Sequence, residues 1–142
     1  ASDVYKRQAE VIALCREFGE YLGYCFQIKD DIFDYFKEAN IGKPTGNDIR
    51  EGKVTLPLLY ALRQGREEEA ARYLDMILRK DFAAENVDSL IEFAKANGGI
   101  EYAEARMKEY HDKAVDVLLR LPESEARTSL IQLADYIMTR SK

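Results

Sequence analysis

A chain of 142 residues that is 46% hydrophobic and 33% charged has enough apolar material for one domain with a core, which excludes a disordered tail. The formal charge of −5 and pI near 5.0 argue against a general nucleic-acid binder, because phosphate contacts need clustered Lys and Arg, and the 21 basic residues are scattered among 26 acidic ones. No apolar run approaches the roughly 18 residues of a membrane span and no basic-then-apolar signal opens the chain, so no integral membrane segment is expected.

Three prolines, eight glycines and many Leu, Ala, Glu, Lys and Arg predict an all-α chain, with β-branched residues too scattered for period-two strands. The opening ASDVYKRQ begins at Ala1 rather than Met and lacks the apolar periodicity that sets in from residue 9, so residues 1–8 read as a truncated or non-native end. A first helix is expected from about residue 9 to residue 38, apolar around most of its circumference, as a core helix is. Cys15 and Cys25 both fall on it, and ten residues of helix hold them about 15 Å apart, too far to pair. With one histidine, His111, they fall short of a zinc site; structural thiols in a reducing cytoplasm are expected.

Residues 39–55, ANIGKPTGNDIREGKVT, carry three glycines and Pro44 and predict an ordered loop. Thr55 can cap a following helix with Pro57 in its first turn, where a missing amide costs nothing, and Gly65 can end it. A short helix is expected over 67–80. Asn86 or Asp88 can start another over Leu90, Ile91, Phe93 and Ala94, stopped by Asn97-Gly98-Gly99. A further helix over 100–121 should end at Pro122, and Leu130, Leu133, Ala134 and Ile137 give the last segment an amphipathic stripe. There is no internal repeat and no sign of a second domain.

The first helix also carries FQIKDDIFDYF. At 100° per residue, Asp30, Asp31 and Asp34 share one sector with Gly23 and Gln27, flanked by Leu22, Phe26, Phe33, Ile28, Ile32, Tyr35 and Phe36. Three carboxylates in an apolar setting repel one another and are costly to bury unless water or a cation answers them. Oxygen ligands without nearby Cys or His suit Mg²⁺, which keeps several waters and commonly bridges carboxylates to a diphosphate. A solvated acidic patch is the alternative.

Phe18-Gly19, Leu22-Gly23, Phe26-Gln27 and DDIFD together resemble the second aspartate-rich region of the trans-isoprenyl diphosphate synthase (polyprenyl synthetase) family. The adjoining IGKPTGNDIREGKVTLPLLYAL is similar to the G-K-x-x-G-x-D-x-x-x-G-K-x-T-L-P-L pattern of its longer-chain members. The likeness is strongest from residue 18 to 62, continues through Gly98-Gly99-Ile100 and beyond, and covers about 125 residues. It implies the C-terminal portion of the isoprenoid synthase helical bundle, with the N-terminal helices missing.

By that resemblance Asp30, Asp31 and Asp34 would hold Mg²⁺ against the diphosphate of an allylic substrate, and Lys43 and Lys53 would contact the same diphosphate as point charges. Gln27, one turn away, would approach the allylic end, with a packing amide as the alternative. Gly19 and Gly23 would leave room for substrate or for a neighbouring helix. Asp48 and Arg50 are as well explained by a salt bridge that shapes the loop. Phe26 and Phe33 could line an isoprenoid tunnel, although aromatics at helical spacing more often belong to a core. His111 is most simply a surface or inter-helix residue.

The family joins isopentenyl diphosphate head-to-tail to an allylic diphosphate and uses two facing aspartate-rich helices. Only the second motif occurs here, with 29 residues before Asp30. The first motif and most of the isopentenyl diphosphate site would lie upstream. A truncated polyprenyl synthase, inactive alone and homodimeric when whole, is therefore expected. Two alternatives are a non-catalytic subunit of a heteromeric synthase and a stand-alone helical binder of Mg²⁺ and diphosphate.

Overall fold

The computed structural model describes residues 2–36 and 45–140. Among them all regular structure is helical: α1 (Ser2–Phe33), α2 (Asn47–Arg50), α3 (Leu56–Gln64), α4 (Glu67–Leu78), α5 (Ala84–Ala96), α6 (Gly99–Leu119) and α7 (Glu125–Thr139). The all-α expectation holds.

Helix α1 starts at Ser2, ahead of the expected residue 9. Its first residues contain neither Gly nor Pro, and Asp3 complements the dipole of the first turn, so a helix forms there without an apolar stripe. It ends at Phe33 rather than residue 38. Beyond it, Tyr35 N donates to the Ile32 carbonyl and Phe36 N to that of Phe33, the shorter bonds of a closing turn. The expectation of a core helix also needs correction. Phe18, Cys25, Ile28 and Ile32 are buried along one stripe, whereas Tyr5 is 72% exposed and Val4, Val11, Ile12, Tyr24 and Phe26 are exposed too. A helix apolar around its circumference needs neighbours on several sides, and the described residues cover one.

The chain forms two compact units, residues 1–29 with 106–142 and residues 30–105, the boundaries falling inside α1 and α6. In the first, Phe18 of α1, Ala114, Val117 and Leu118 of α6 and Ala134 of α7 make the core, with Leu14, Leu22, Leu130 and Ile131 packed against it. The Cys25 thiol donates to the Met107 carbonyl at 3.3 Å. His111 is an inter-helix residue: its Nε2 lies 2.7 Å from Asp135 Oδ1 on α7. Ser124 caps α7 by accepting from Arg127 N at 3.0 Å.

In the second unit α3 packs on α4 and α5. Its core includes Tyr35, Ile49, Leu58, Ala61, Val87, Leu90, Phe93 and Ala94. Thr55 stands at the N-cap of α3, and Pro57 in its first turn, but the Thr55 side chain makes no cap bond. Its hydroxyl is instead 3.0 Å from Tyr35 Oη. Helix α4 stops at Leu78, before the expected residue 80, where Lys80 takes φ +57. Helix α5 begins at Ala84, ahead of Asn86, whose amide reaches back to the Asp81 carbonyl. Gly98, with φ +76, ends it as expected. Gly99 then lets α6 cross α3 closely, since a Cβ there would stand 2.3 Å from the Pro57 carbonyl oxygen.

Candidate functional site

Asp30 and Asp31 occupy the last turn of α1, half-buried. Asp34 lies just past its end, and its amide still donates to the Asp30 carbonyl at 3.3 Å. From there its carboxylate meets the N-terminus of α2. Asp34 Oδ1 accepts from Asn47 N at 2.9 Å and Oδ2 from Asp48 N at 3.2 Å, while the Asp34 carbonyl accepts from Gly46 N at 2.8 Å. The first amides of a helix have no partner within it, and a carboxylate is the natural acceptor. Burial pushes the Asp34 carboxyl above its ordinary value, the Asp48 amide opposes that shift, and the Asp48 charge adds to it.

The loop that α2 begins returns at once. Gly52 N donates to the Ile49 carbonyl at 2.9 Å, Gly52 takes φ +83, and Lys53 N donates to the Asp48 carbonyl at 2.8 Å. Lys53 Nζ stands 3.2 Å from Glu51 Oε2. The Glu51 hydrogen bond and charge push the ammonium above its ordinary value, with smaller contributions from the charges of Asp48 and Asp31. Lys53 thus keeps its charge, within the field of Asp31. Gly46, at φ +76, packs on α5 so closely that a Cβ would lie 2.4 Å from Val87 Cγ1. Arg50 shapes the loop through the Thr45 carbonyl, to which its Nη1 donates, rather than through Asp48.

Tyr35 anchors the other side. It is 1% exposed, and burial pushes its phenol up to about 12, helped by the charges of Asp34 and Asp31 and opposed by hydrogen bonds to Thr55 and the Leu58 backbone. Nothing in the sequence singled Tyr35 out beyond its place among the flanking aromatics. Its partner, twenty residues on, is a contact that periodicity does not encode.

The remaining expected site residues are more dispersed. Gln27 is exposed on α1, one turn before Asp30. Lys43 lies outside the described residues. Phe26 is 47% exposed beneath the Arg140 guanidinium, 4.6 Å from the ring centroid, and so is not a core aromatic. A Cβ at Gly19 or Gly23 would meet nothing within 4 Å among the described residues.

Asp30 and Asp31 offer only oxygen donors, which fits a hard divalent cation. Among the described residues no three His, Cys, Asp or Glu side chains converge as a metal cluster by themselves. No helix among the described residues is long and apolar enough to cross a membrane.

Comparison with known proteins agrees with these motifs. The family model for polyprenyl synthetase matches residues 2–94. The octaprenyl diphosphate synthase of Haemophilus influenzae is 40% identical over 127 residues, which are 89% of this chain and 38% of that protein. Heptaprenyl diphosphate synthase component 2 of Bacillus subtilis is 37% identical over 124 residues, 87% of this chain and 34% of its own. Among solved structures, geranylgeranyl pyrophosphate synthase from Bacteroides thetaiotaomicron superposes with a TM-score of 0.82 at 44% identity, covering 92% of this chain and 42% of that one. Polyprenyl synthase from Caulobacter crescentus, solved with calcium and isoprenyl diphosphate, gives 0.80 at 32% identity, covering 90% and 39%. The chain thus spans less than half the length of these relatives, and its helices match part of the isoprenoid synthase structures, as the motifs implied. With the family model matching residues 2–94 and the helical fold shared with solved relatives, the chain belongs to the polyprenyl synthetase family.

Proposed function

We propose that this chain carries the allylic-diphosphate side of a trans-type polyprenyl diphosphate synthase, which joins prenyl groups head-to-tail to isopentenyl diphosphate. The observation that carries the proposal is the acidic end of α1 with a lysine loop hydrogen-bonded to it: Asp34 binds the amides of Asn47 and Asp48, and Asp48 binds that of Lys53. Carboxylates and an ammonium on neighbouring, hydrogen-bonded segments are the groups that a metal-bound diphosphate calls for.

Asp30, Asp31 and Asp34 make up the acidic face beside the cation, Lys43 and Lys53 meet diphosphate oxygens, and Gln27 serves the allylic end. Bound Mg²⁺ would neutralise charge on the departing diphosphate. The lysines add fixed positive charge at the same oxygens, and Gln27's amide oxygen favours the positive charge that develops on the allyl group. The relative solved with calcium and isoprenyl diphosphate supports this assignment by analogy.

Because the chain spans only about two fifths of the relatives it matches and holds one aspartate-rich motif, prenyl transfer is proposed for the whole enzyme. A relative named as one component of heptaprenyl diphosphate synthase keeps a role as a subunit of a heteromeric synthase as the second reading. Calorimetry of this chain with farnesyl diphosphate, with and without Mg²⁺, tests the first. Mg²⁺-dependent binding, weakened about tenfold or more by Asp31→Ala and by Lys53→Ala, is expected. No heat in any combination would sink it. Labelled isopentenyl diphosphate plus an allylic primer should give no turnover with this chain alone.

A further inference from the structure

We infer that Asp34 acts as a positioning residue, its carboxylate stapling residues 46–53 to the acidic end of α1, while Asp30 and Asp31 are the carboxylates that meet the cation. This rests on the metal and diphosphate site proposed above and divides the work within it. The three aspartates would be equivalent only if the helix continued through them. It ends at Phe33, so Asp34 stands past the last helical residue and its side chain turns to α2.

Each Asp34 carboxylate oxygen accepts one backbone amide, from residues 13 and 14 positions later, and its carbonyl accepts a third from Gly46. Three bonds from one residue fix both the entry to α2 and its first turn. The link to function is one step longer. The Asp48 amide is held by Asp34, and the Asp48 carbonyl in turn holds the amide of Lys53 at 2.8 Å. Two successive hydrogen bonds therefore connect the third aspartate of the motif to the backbone of the lysine proposed to meet diphosphate. Gly46 and Gly52, both at positive φ, make the tight path between them sterically possible. A charged acceptor shared by two amides is among the stronger hydrogen-bonding arrangements, and losing it would leave α2 with uncapped donors.

The test combines amide hydrogen exchange with calorimetry on this chain, using inorganic diphosphate and Mg²⁺ as probes. Asp34→Ala should speed exchange at Asn47 and Asp48 by about tenfold or more, with α5 and α7 amides unchanged as a control for folding. It should weaken diphosphate binding as Lys53→Ala does, yet leave unchanged the Mg²⁺ concentration giving half-maximal binding. Asp34→Asn, whose side-chain oxygen still accepts one amide, should restore part of both. Asp31→Ala should shift the Mg²⁺ requirement and leave exchange at Asn47 and Asp48 untouched. Unchanged exchange in Asp34→Ala, or a shifted Mg²⁺ requirement like that of Asp31→Ala, would overturn the inference. If neither Asp30→Ala nor Asp31→Ala alters Mg²⁺-dependent binding, the proposed metal site fails, and the exchange rates alone then decide whether Asp34 is a staple.

Discussion

Gly19, Gly23 and Gly46 are the same residue in two motifs and in opposite surroundings. At Gly46 the backbone is left-handed and a Cβ would strike Val87, so Gly46→Ala is expected to cost about 1–3 kcal/mol through strain and overpacking. Gly19 and Gly23 sit mid-helix with open space around them among the described residues. Either one changed to Ala should stabilise this chain by about 0.5–1 kcal/mol, because alanine is the better helix former. Urea melts of the three variants would check both signs. A Gly19→Ala that destabilised the isolated chain would show that something packs there. Cys25 illustrates the same dependence on surroundings: burial raises its thiol to about 11, while Cys15 on the same helix is exposed.

The turn after α1 and the start of α3 are joined at the level of elements by the Tyr35 to Thr55 hydrogen bond, 3.0 Å long and partly buried. Tyr35→Phe should cost about 1 kcal/mol at neutral pH by leaving the Thr55 hydroxyl without that partner. The same change should alter the alkaline limb of stability. In the fold the phenol is raised to about 12 from its ordinary 10, so between these values the unfolded chain gives up a proton that the folded chain keeps. Stability is thus full below pH 10 and falls as pH rises toward 12. Thermal melts across pH 9 to 12 should show a flatter decline in Tyr35→Phe than in the parent, and parallel declines would contradict the assignment. Thr55 was expected to cap α3 with its side chain. It holds the cap position, but its hydroxyl serves Tyr35, a competition decided by what packs beside it.

For the molecule as a whole, the apolar residues that α1 leaves exposed bear on behaviour in solution. Val4, Tyr5, Val11 and Ile12 are 58%, 72%, 42% and 54% exposed on one helix. Large apolar side chains left exposed in this way favour association. Sedimentation is expected to show concentration-dependent self-association of this chain, reduced by Val11→Lys with Ile12→Lys while helicity is kept; a monomer at all concentrations would refute it.

Helix content, the Pro57 and Gly98 boundaries and the family motifs were legible in the residues, because propensity, capping and motif spacing act within a few positions. The sequence by itself also determined which chemistry to look for, through DDIFD and the GKPTGNDIREGK loop. Only the tertiary structure decided which stripe of α1 is buried, that Asp34 leaves the helical face for two amides far along the chain, and that Thr55 answers Tyr35. Those outcomes depend on contacts from 13 residues apart, between Asp34 and Asn47, to 82 residues apart, between Cys25 and Met107, where a shared helical face no longer predicts what a side chain touches.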